Sequence, residues 1–135
     1  MILVDSNVII DVLGEDAAWV SWSEAALSRA ADADEIAINP IIYAEVSMGY
    51  VSIEELESRL GAHEFRRVEL PYSAAFIAGR AFMLYRRRGG SRTSPLSDFY
   101  IGAHAAVSGM RLLTRDPRRY LDYFPALDLI SPDLA

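Results

Sequence analysis

Four acidic side chains stand where a fold could bring them to one spot: Asp5, Glu45, Asp98 and Asp116. Asp5 ends the apolar run Met1-Ile2-Leu3-Val4 and is followed by Ser6-Asn7. Asp116 follows a second apolar run and a turn-like cluster, Leu112-Leu113-Thr114-Arg115, and precedes Pro117. Glu45 and Asp98 lie in stretches patterned as helices. Carboxylates gathered together repel one another unless a cation neutralises them. All-oxygen ligands suit a hard divalent ion, and metal-assisted phosphodiester cleavage is the chemistry such a centre would best serve.

Each acid also has a plainer reading. Asp5 or Ser6 could cap a helix beginning near Asn7. Glu45 alone reads as a solvated helix residue, and Asp98 as a favourable acid in a first helical turn. Asp116 before Pro117 reads as a turn residue. The joint pattern, rather than any one position, is what points to a site. Asp11, close to Asp5 in sequence, reads as a solvent-facing or structural residue and is left out of the cluster. His104 lies six residues after Asp98 and so faces another side of the same helix, as a packed, hydrogen-bonded histidine. His63 falls in a surface connection.

The elements that would position these groups alternate between strand and helix. Residues 1–5 read as a buried strand and residues 7–13 as a short helix closed by Gly14. A second helix covers 17–32, with Trp19, Trp22, Ala26 and Ala30 on one face. Residues 35–39 read as a strand, and Pro40 suits the first turn of the helix that carries Glu45. Ser52 and Glu55 form a capping-box pattern at the next helix. After a short strand at 66–69, a long helix over 72–88 points Phe76, Ala78 or Gly79, Phe82 and Met83 to the core. A polar loop over 91–97 leads to a small-residue helix over 98–108, a strand at 111–114, a helix at 117–123 and a last strand at 127–130. This alternation predicts a mostly parallel central sheet with helices on both faces, a three-layer α/β/α arrangement. In such sheets the ligand crevice lies beyond the carboxyl ends of the strands. If the first strand and the 111–114 strand are neighbours, Asp5 and Asp116 share that crevice, and Glu45 and Asp98 can overhang its rim.

Composition narrows the classes further. A chain of 135 residues with 52% apolar content suits one domain with one core, covering 1–135. With no cysteine, disulfides, zinc–thiolate sites and a thiol nucleophile are excluded. The N-terminal apolar run is short, lacks a basic lead and ends at Asp5, so neither a signal peptide nor a membrane span is expected, and a cytoplasmic location is. Net charge is −6, which opposes bulk attraction to nucleic acid, although acids holding metal would cancel part of it. All 13 basic residues are arginine. Arginine is the better bidentate phosphate ligand, but a GC-rich genome is the plainer account of the missing lysines. Arg86, Arg87, Arg88 and Arg92 precede Asp98 and could contact an RNA backbone or simply form a solvated helix end. Arg115, Arg118 and Arg119 flank Asp116 and could grip phosphates or pair with the acids.

The ordered motifs carry a family resemblance. Val4-Asp5-Ser6-Asn7-Val8-Ile9-Ile10-Asp11 resembles the first motif of the PIN domain, and Glu45 in Ile42-Tyr43-Ala44-Glu45-Val46 resembles its internal acid. Pro95-Leu96-Ser97-Asp98-Phe99-Tyr100-Ile101-Gly102 is similar to the third motif, and Leu112-Leu113-Thr114-Arg115-Asp116-Pro117-Arg118-Arg119-Tyr120 to the fourth. The match runs in order over essentially the whole chain and is most like the VapC toxins of type II toxin–antitoxin modules. Ser97 departs from the pattern, since many relatives carry proline there. The change is expected to loosen the helix start slightly and to remove no ligand.

The resemblance implies a Mg²⁺-dependent endoribonuclease, with Mn²⁺ able to substitute, that blocks translation by cutting tRNA or rRNA. Asp5, Glu45, Asp98 and Asp116 would form its acidic cluster. Asp5 and Asp98 would touch the metal most directly, while Glu45 and Asp116 hold its waters or a second ion. Ser6, Asn7 and Thr114 would stand behind the ligands, with the hydroxyls fixing carboxylate orientation. The implied partners are RNA, a VapB-like antitoxin whose tail seats in an apolar groove near Trp19, Trp22, Tyr43 and Met48, and a second copy of the chain. Two alternatives stay open. One is a metal-dependent phosphatase on a similar sheet, weakened because Asn7 stands where its second aspartate belongs. The other is a non-catalytic PIN-like protein that binds RNA or a partner.

Overall fold

The computed structural model describes residues 1–14, 18–92 and 96–132. The strands among them are β1 (Ile2–Val4), β2 (Ile36–Ile38), β3 (Arg66–Arg67), β4 (Arg111–Leu113) and β5 (Leu129–Ile130). The α-helices are α1 (Ser6–Gly14), α2 (Val20–Ala33), α3 (Pro40–Ser47), α4 (Ile53–Leu60), α5 (Tyr72–Arg87), α6 (Ser97–Val107) and α7 (Arg118–Tyr123). One sheet holds all five strands in the order β3-β2-β1-β4-β5, and every pairing is parallel. The sequence pattern left room for an antiparallel member, and none occurs among the described residues.

The strand order explains why a site forms. From β1 the chain steps outward to β2 and β3, then returns across the sheet to β4 and β5. Right-handed crossovers put helices on one face during the outward steps and on the other during the return. The main helix contacts agree: α1 lies against α2 and α3, and α6 lies against α5 and α7, while α3 and α6 also meet, where Ser97 reaches Glu45. β1 and β4 are therefore neighbours at the point where the winding reverses, which is where open parallel sheets form a crevice. Both strands are covered on two faces, so Ile2, Leu3, Val4, Leu112 and Leu113 are all buried.

Local signals set the helix starts near the site. Pro40 opens α3, and the Asn39 side chain accepts a hydrogen bond from the Ile42 amide at 2.9 Å. Ser52 Oγ accepts from the Glu55 amide at 3.2 Å, while the Glu55 carboxylate accepts from Val51 rather than from Ser52, so the capping box is offset by one residue. Gly109 adopts φ +64°, a left-handed conformation that ends α6 and turns the chain into β4.

The long helix α5 turns Ala78 and Phe82 toward the core as expected, but not Phe76 and Met83. Phe76 and Met83 are 60% and 42% exposed, and the buried face is Ala74, Ala78 and Ala81. Those alanines let α5 lie close on the equally small-sided α6, an approach that larger residues at the interface would block. Beyond this seam, the rings of Phe82, Tyr85, Phe99 and Tyr123 join α5, α6 and α7, with Phe99 and Tyr123 centroids 5.1 Å apart. The cluster anchors α7, the short helix beside Asp116. Of the expected helix over 17–32, residue 17 lies outside the described residues, as do 93–95 of the expected polar loop.

Candidate active site

Asp5 sits one residue past β1. Its amide donates to the Leu113 carbonyl at 2.8 Å, continuing the β1–β4 ladder to the carboxyl edge of the sheet. Its side chain is buried and accepts from the Ser6 amide on Oδ1 (2.8 Å). Oδ2 accepts from Thr114 Oγ1 (2.9 Å), from the Tyr120 hydroxyl (2.8 Å) and, at 3.4 Å, from Asn7 Nδ2. A helix cap would accept from an amide further into α1. Asp5 instead directs one oxygen to β4 and α7, which is not the geometry of a cap.

Glu45 is fixed rather than solvated. Its Oε1 accepts from Ser6 Oγ and its Oε2 from Ser97 Oγ, each at 2.9 Å. It thus ties the starts of α1 and α6 to α3. Ser97, noted from sequence only as a departure from the family pattern, supplies one of these two hydroxyls. Asp98, next along α6, is partly buried and lies 3.5 Å from Arg119 Nη1. Asp116 is exposed, and its amide donates to Thr114 Oγ1 at 3.1 Å. Asn7 donates to Thr114 Oγ1 at 3.2 Å and accepts from the Arg115 amide at 3.2 Å, which locks the start of α1 to the turn after β4.

The electrostatics show that these acids share a neighbourhood. Burial is the main cause that raises the Asp5 carboxyl from 3.8 to about 6. The charges of Asp98 and Glu45 raise it further, against the opposing hydrogen bonds from Tyr120 and Thr114. Asp98 is also raised, first by burial, with Glu45 and Asp116 adding to it and Arg119 opposing. Burial beside Asp5 pushes the Tyr120 phenol well above its ordinary value, so it remains a proton donor.

Tyr120 is the functional neighbour that sequence reasoning missed. It lies in α7, four residues after Asp116, which precedes that helix, and only packing reveals that its hydroxyl reaches Asp5.

The arginines divide by environment. Arg115 Nε donates to Asp11 Oδ2 at 2.7 Å, and its guanidinium lies 5.5 Å from the Trp19 ring centroid. Asp11 is fully buried and also accepts from Ser23 Oγ at 2.7 Å, so its role is structural and not solvent-facing. Arg119 is engaged by Asp98, Arg86 donates to the Arg92 carbonyl, and Arg88 lies over Tyr123. The Arg87 and Arg118 side chains are exposed and form no hydrogen bond or ion pair among the described residues. His104 is buried with Nδ1 2.9 Å from Asn39 Nδ2, the packed histidine its helical position implied.

The donor set fits a hard cation. Among the described residues Asp5 is paired with neutral donors only, the charges of Asp98 and Glu45 act on it, and Arg119 faces Asp98. Among the described residues no three metal-binding side chains converge on one point as they stand. Mg²⁺ does not require that, because it binds through one or two carboxylates and completes its shell with water and phosphate oxygens.

An all-parallel α/β/α domain with carboxylates collected at the ends of its two central strands defines the class. The sequence matches the PIN domain over residues 2–124, and the chain belongs to the PIN family. No curated protein sequence matches it significantly. Among solved structures it is similar to VapBC2 from Rickettsia felis bound to a promoter DNA fragment, at 19% identity, covering 98% of this chain and 100% of that one, with a TM-score of 0.70. It is likewise similar to VapBC-1 from nontypeable Haemophilus influenzae, at 16% identity, covering 97% and 98%, with a TM-score of 0.70. A toxin–antitoxin complex from Klebsiella pneumoniae aligns at 21% identity over 100% of both chains, with a TM-score of 0.68. At these identities the likeness is one of fold.

Proposed function

We propose that this protein is a divalent-cation-dependent endoribonuclease acting as the toxin of a toxin–antitoxin pair. The observation that carries the reading is Asp5: a buried carboxylate at the β1–β4 switch point, facing other acids and with no cationic partner among the described residues. Hydrogen bonds from Tyr120 and Thr114 offset part of the cost of burial and like charge at this group, and a bound cation would offset more. Asp5 and Asp98 would hold Mg²⁺, with Mn²⁺ able to substitute, and Glu45 and Asp116 would hold water beside it. The bound cation would make a water nucleophilic at neutral pH and neutralise charge on the attacked phosphate. The chain's own residues do the rest. Thr114 and Tyr120 hold Asp5, Ser6 and Ser97 hold Glu45, and the exposed Arg87 and Arg118 are available to an RNA backbone. RNA rather than a small phosphate ester suits an open strand-end rim, and Asn7 is already engaged by Thr114 and Arg115 instead of serving as a phosphatase's acid.

The similar structure from K. pneumoniae is described as a toxin–antitoxin complex, and those from R. felis and H. influenzae as VapBC2 and VapBC-1, which supports an antitoxin partner here; a homodimer is the accompanying expectation. No helix among the described residues is long and apolar enough to cross a membrane. The test is cleavage of structured RNA by the purified protein with Mg²⁺ or Mn²⁺, with EDTA controls, beside Asp5→Asn and Asp98→Asn. Cleavage should require the cation and fall at least about 100-fold in each variant, the equivalent of roughly 3 kcal/mol of charge stabilisation. Undiminished cleavage in both variants would sink the assignment. Sequencing of RNA ends after induced expression identifies the target.

A further inference from the structure

Tyr120 is a buried phenol whose hydroxyl lies 2.8 Å from Asp5 Oδ2, the carboxylate oxygen that the Ser6 amide does not meet. The contact joins distant parts of the chain, the end of the first strand and the last helix among the described residues. It is also built with care by its surroundings. The Tyr120 ring packs against α6 at Gly102, where an added Cβ would come within 3.1 Å of that ring and 2.6 Å of Phe124. Only a residue without a side chain lets α6 and α7 approach closely enough to seat the tyrosine. Thr114, from the end of β4, donates to the same carboxylate oxygen at 2.9 Å. Two hydroxyls from two elements, with Asn7 at the margin, fill the acceptor positions of Oδ2. Among the described residues Oδ1 accepts just the Ser6 amide and keeps a lone pair to offer.

Resting on the metal-nuclease reading, we infer that Tyr120 is a positioning residue for the cation: its hydroxyl, with that of Thr114, occupies Asp5 Oδ2 and leaves Oδ1 as the oxygen that ligates the ion. Groups that hydrogen-bond a ligand from behind fix its orientation, and their removal weakens metal binding by roughly 10- to 100-fold. Tyr120→Phe removes the hydroxyl and keeps the ring that packs on Gly102. A matched control exists in Tyr43, whose hydroxyl donates to a different carboxylate, Glu57 Oε2, at 2.7 Å.

The experiment measures Mn²⁺ binding by calorimetry and by the electron paramagnetic resonance of free Mn²⁺, for the wild type, Tyr120→Phe and Tyr43→Phe, with metal-free thermal unfolding of each. The expected result is weakening by roughly 10- to 100-fold for folded Tyr120→Phe and wild-type affinity for Tyr43→Phe. A folded Tyr120→Phe that binds Mn²⁺ as the wild type does overturns the inference and leaves the nuclease reading standing. A wild type that takes up no Mn²⁺ overturns both. Should Tyr120→Phe fail to fold, the wild-type Tyr120 hydroxyl proton is followed by NMR through a Mg²⁺ titration. A shift on saturation supports the inference, and an unmoved signal overturns it.

Discussion

Asp5→Asn should make the cation-free protein more stable at neutral pH while abolishing its activity. The Asp5 carboxyl is raised from 3.8 to about 6 in the folded state, chiefly by burial. Below about pH 4 the group is protonated in folded and unfolded chains alike and carries no penalty. Between about pH 4 and about pH 6 the unfolded chain releases its proton and the folded chain retains it, so stability falls as pH rises. Above about pH 6 the full penalty is present, roughly 3 kcal/mol for a gap of about two pKa units. Asparagine carries no charge and escapes this term. It also turns an NH₂ toward groups that now donate to Asp5, either the Ser6 amide or the Thr114 and Tyr120 hydroxyls, at a pH-independent cost of about 1–2 kcal/mol. The net gain near neutral pH is therefore about 1–2 kcal/mol, or roughly 3–10 °C in Tm.

The decisive quantity is the change with pH, because the lost hydrogen bonds cancel from it. Urea unfolding in EDTA at about pH 4 and about pH 7.5 should show the variant gaining roughly 3 kcal/mol relative to the wild type between the two. Added Mg²⁺ should then reverse the order, stabilising the wild type by about 2.7 kcal/mol at a hundredfold excess over Kd and leaving the variant unmoved. A variant-minus-wild-type difference that is flat with pH would refute the reasoning that burial and like charge define this site.

Three further outcomes follow from the packing around the site. Arg115→Ala strands the fully buried Asp11 carboxylate with Ser23 as its remaining partner, and urea unfolding should register a loss of about 3 kcal/mol; less than about 1 kcal/mol would show that the pair is unimportant. Burial lowers the His104 pKa below 6.5, so its contribution is whole above about pH 6.5 and is lost as pH falls, when the unfolded chain protonates first; an imidazole NMR titration midpoint above 6.5 would contradict this. Gly102→Ala forces a Cβ to within 2.6 Å of Phe124, and calorimetric unfolding should show destabilisation by about 1–3 kcal/mol, against no change in Tm if the helices simply part.

The elements, and the order in which they carry the acids, follow from signals that act within short stretches of chain. An apolar run ending in Asp5 and another leading to Asp116 read as buried strands because a parallel strand covered on both faces needs continuous apolar residues. Pro40 and Ser52 mark helix starts through backbone chemistry that acts within a few residues. These signals are local, so they survive without knowledge of the fold, and the ordered acids were enough to point to the family and to nominate candidate site residues.

Tertiary structure alone decided which side chains meet. The adjacency of β1 and β4 rests on a chain reversal that no short segment encodes. The buried face of α5 is made by small alanines, not by Phe76 and Met83, because close approach to α6 outweighed the burial of larger residues. The sequence left Asp11 as a solvent-facing or structural residue, and could not show it as the buried partner of Arg115, which stands 104 positions away. Ser97 and Tyr120 gave no chemical signal in sequence, since a serine and a tyrosine on a helix acquire meaning only from what their hydroxyls reach. Here they reach Glu45 and Asp5, across 52 and 115 positions of the chain, a distance over which no local pattern carries information.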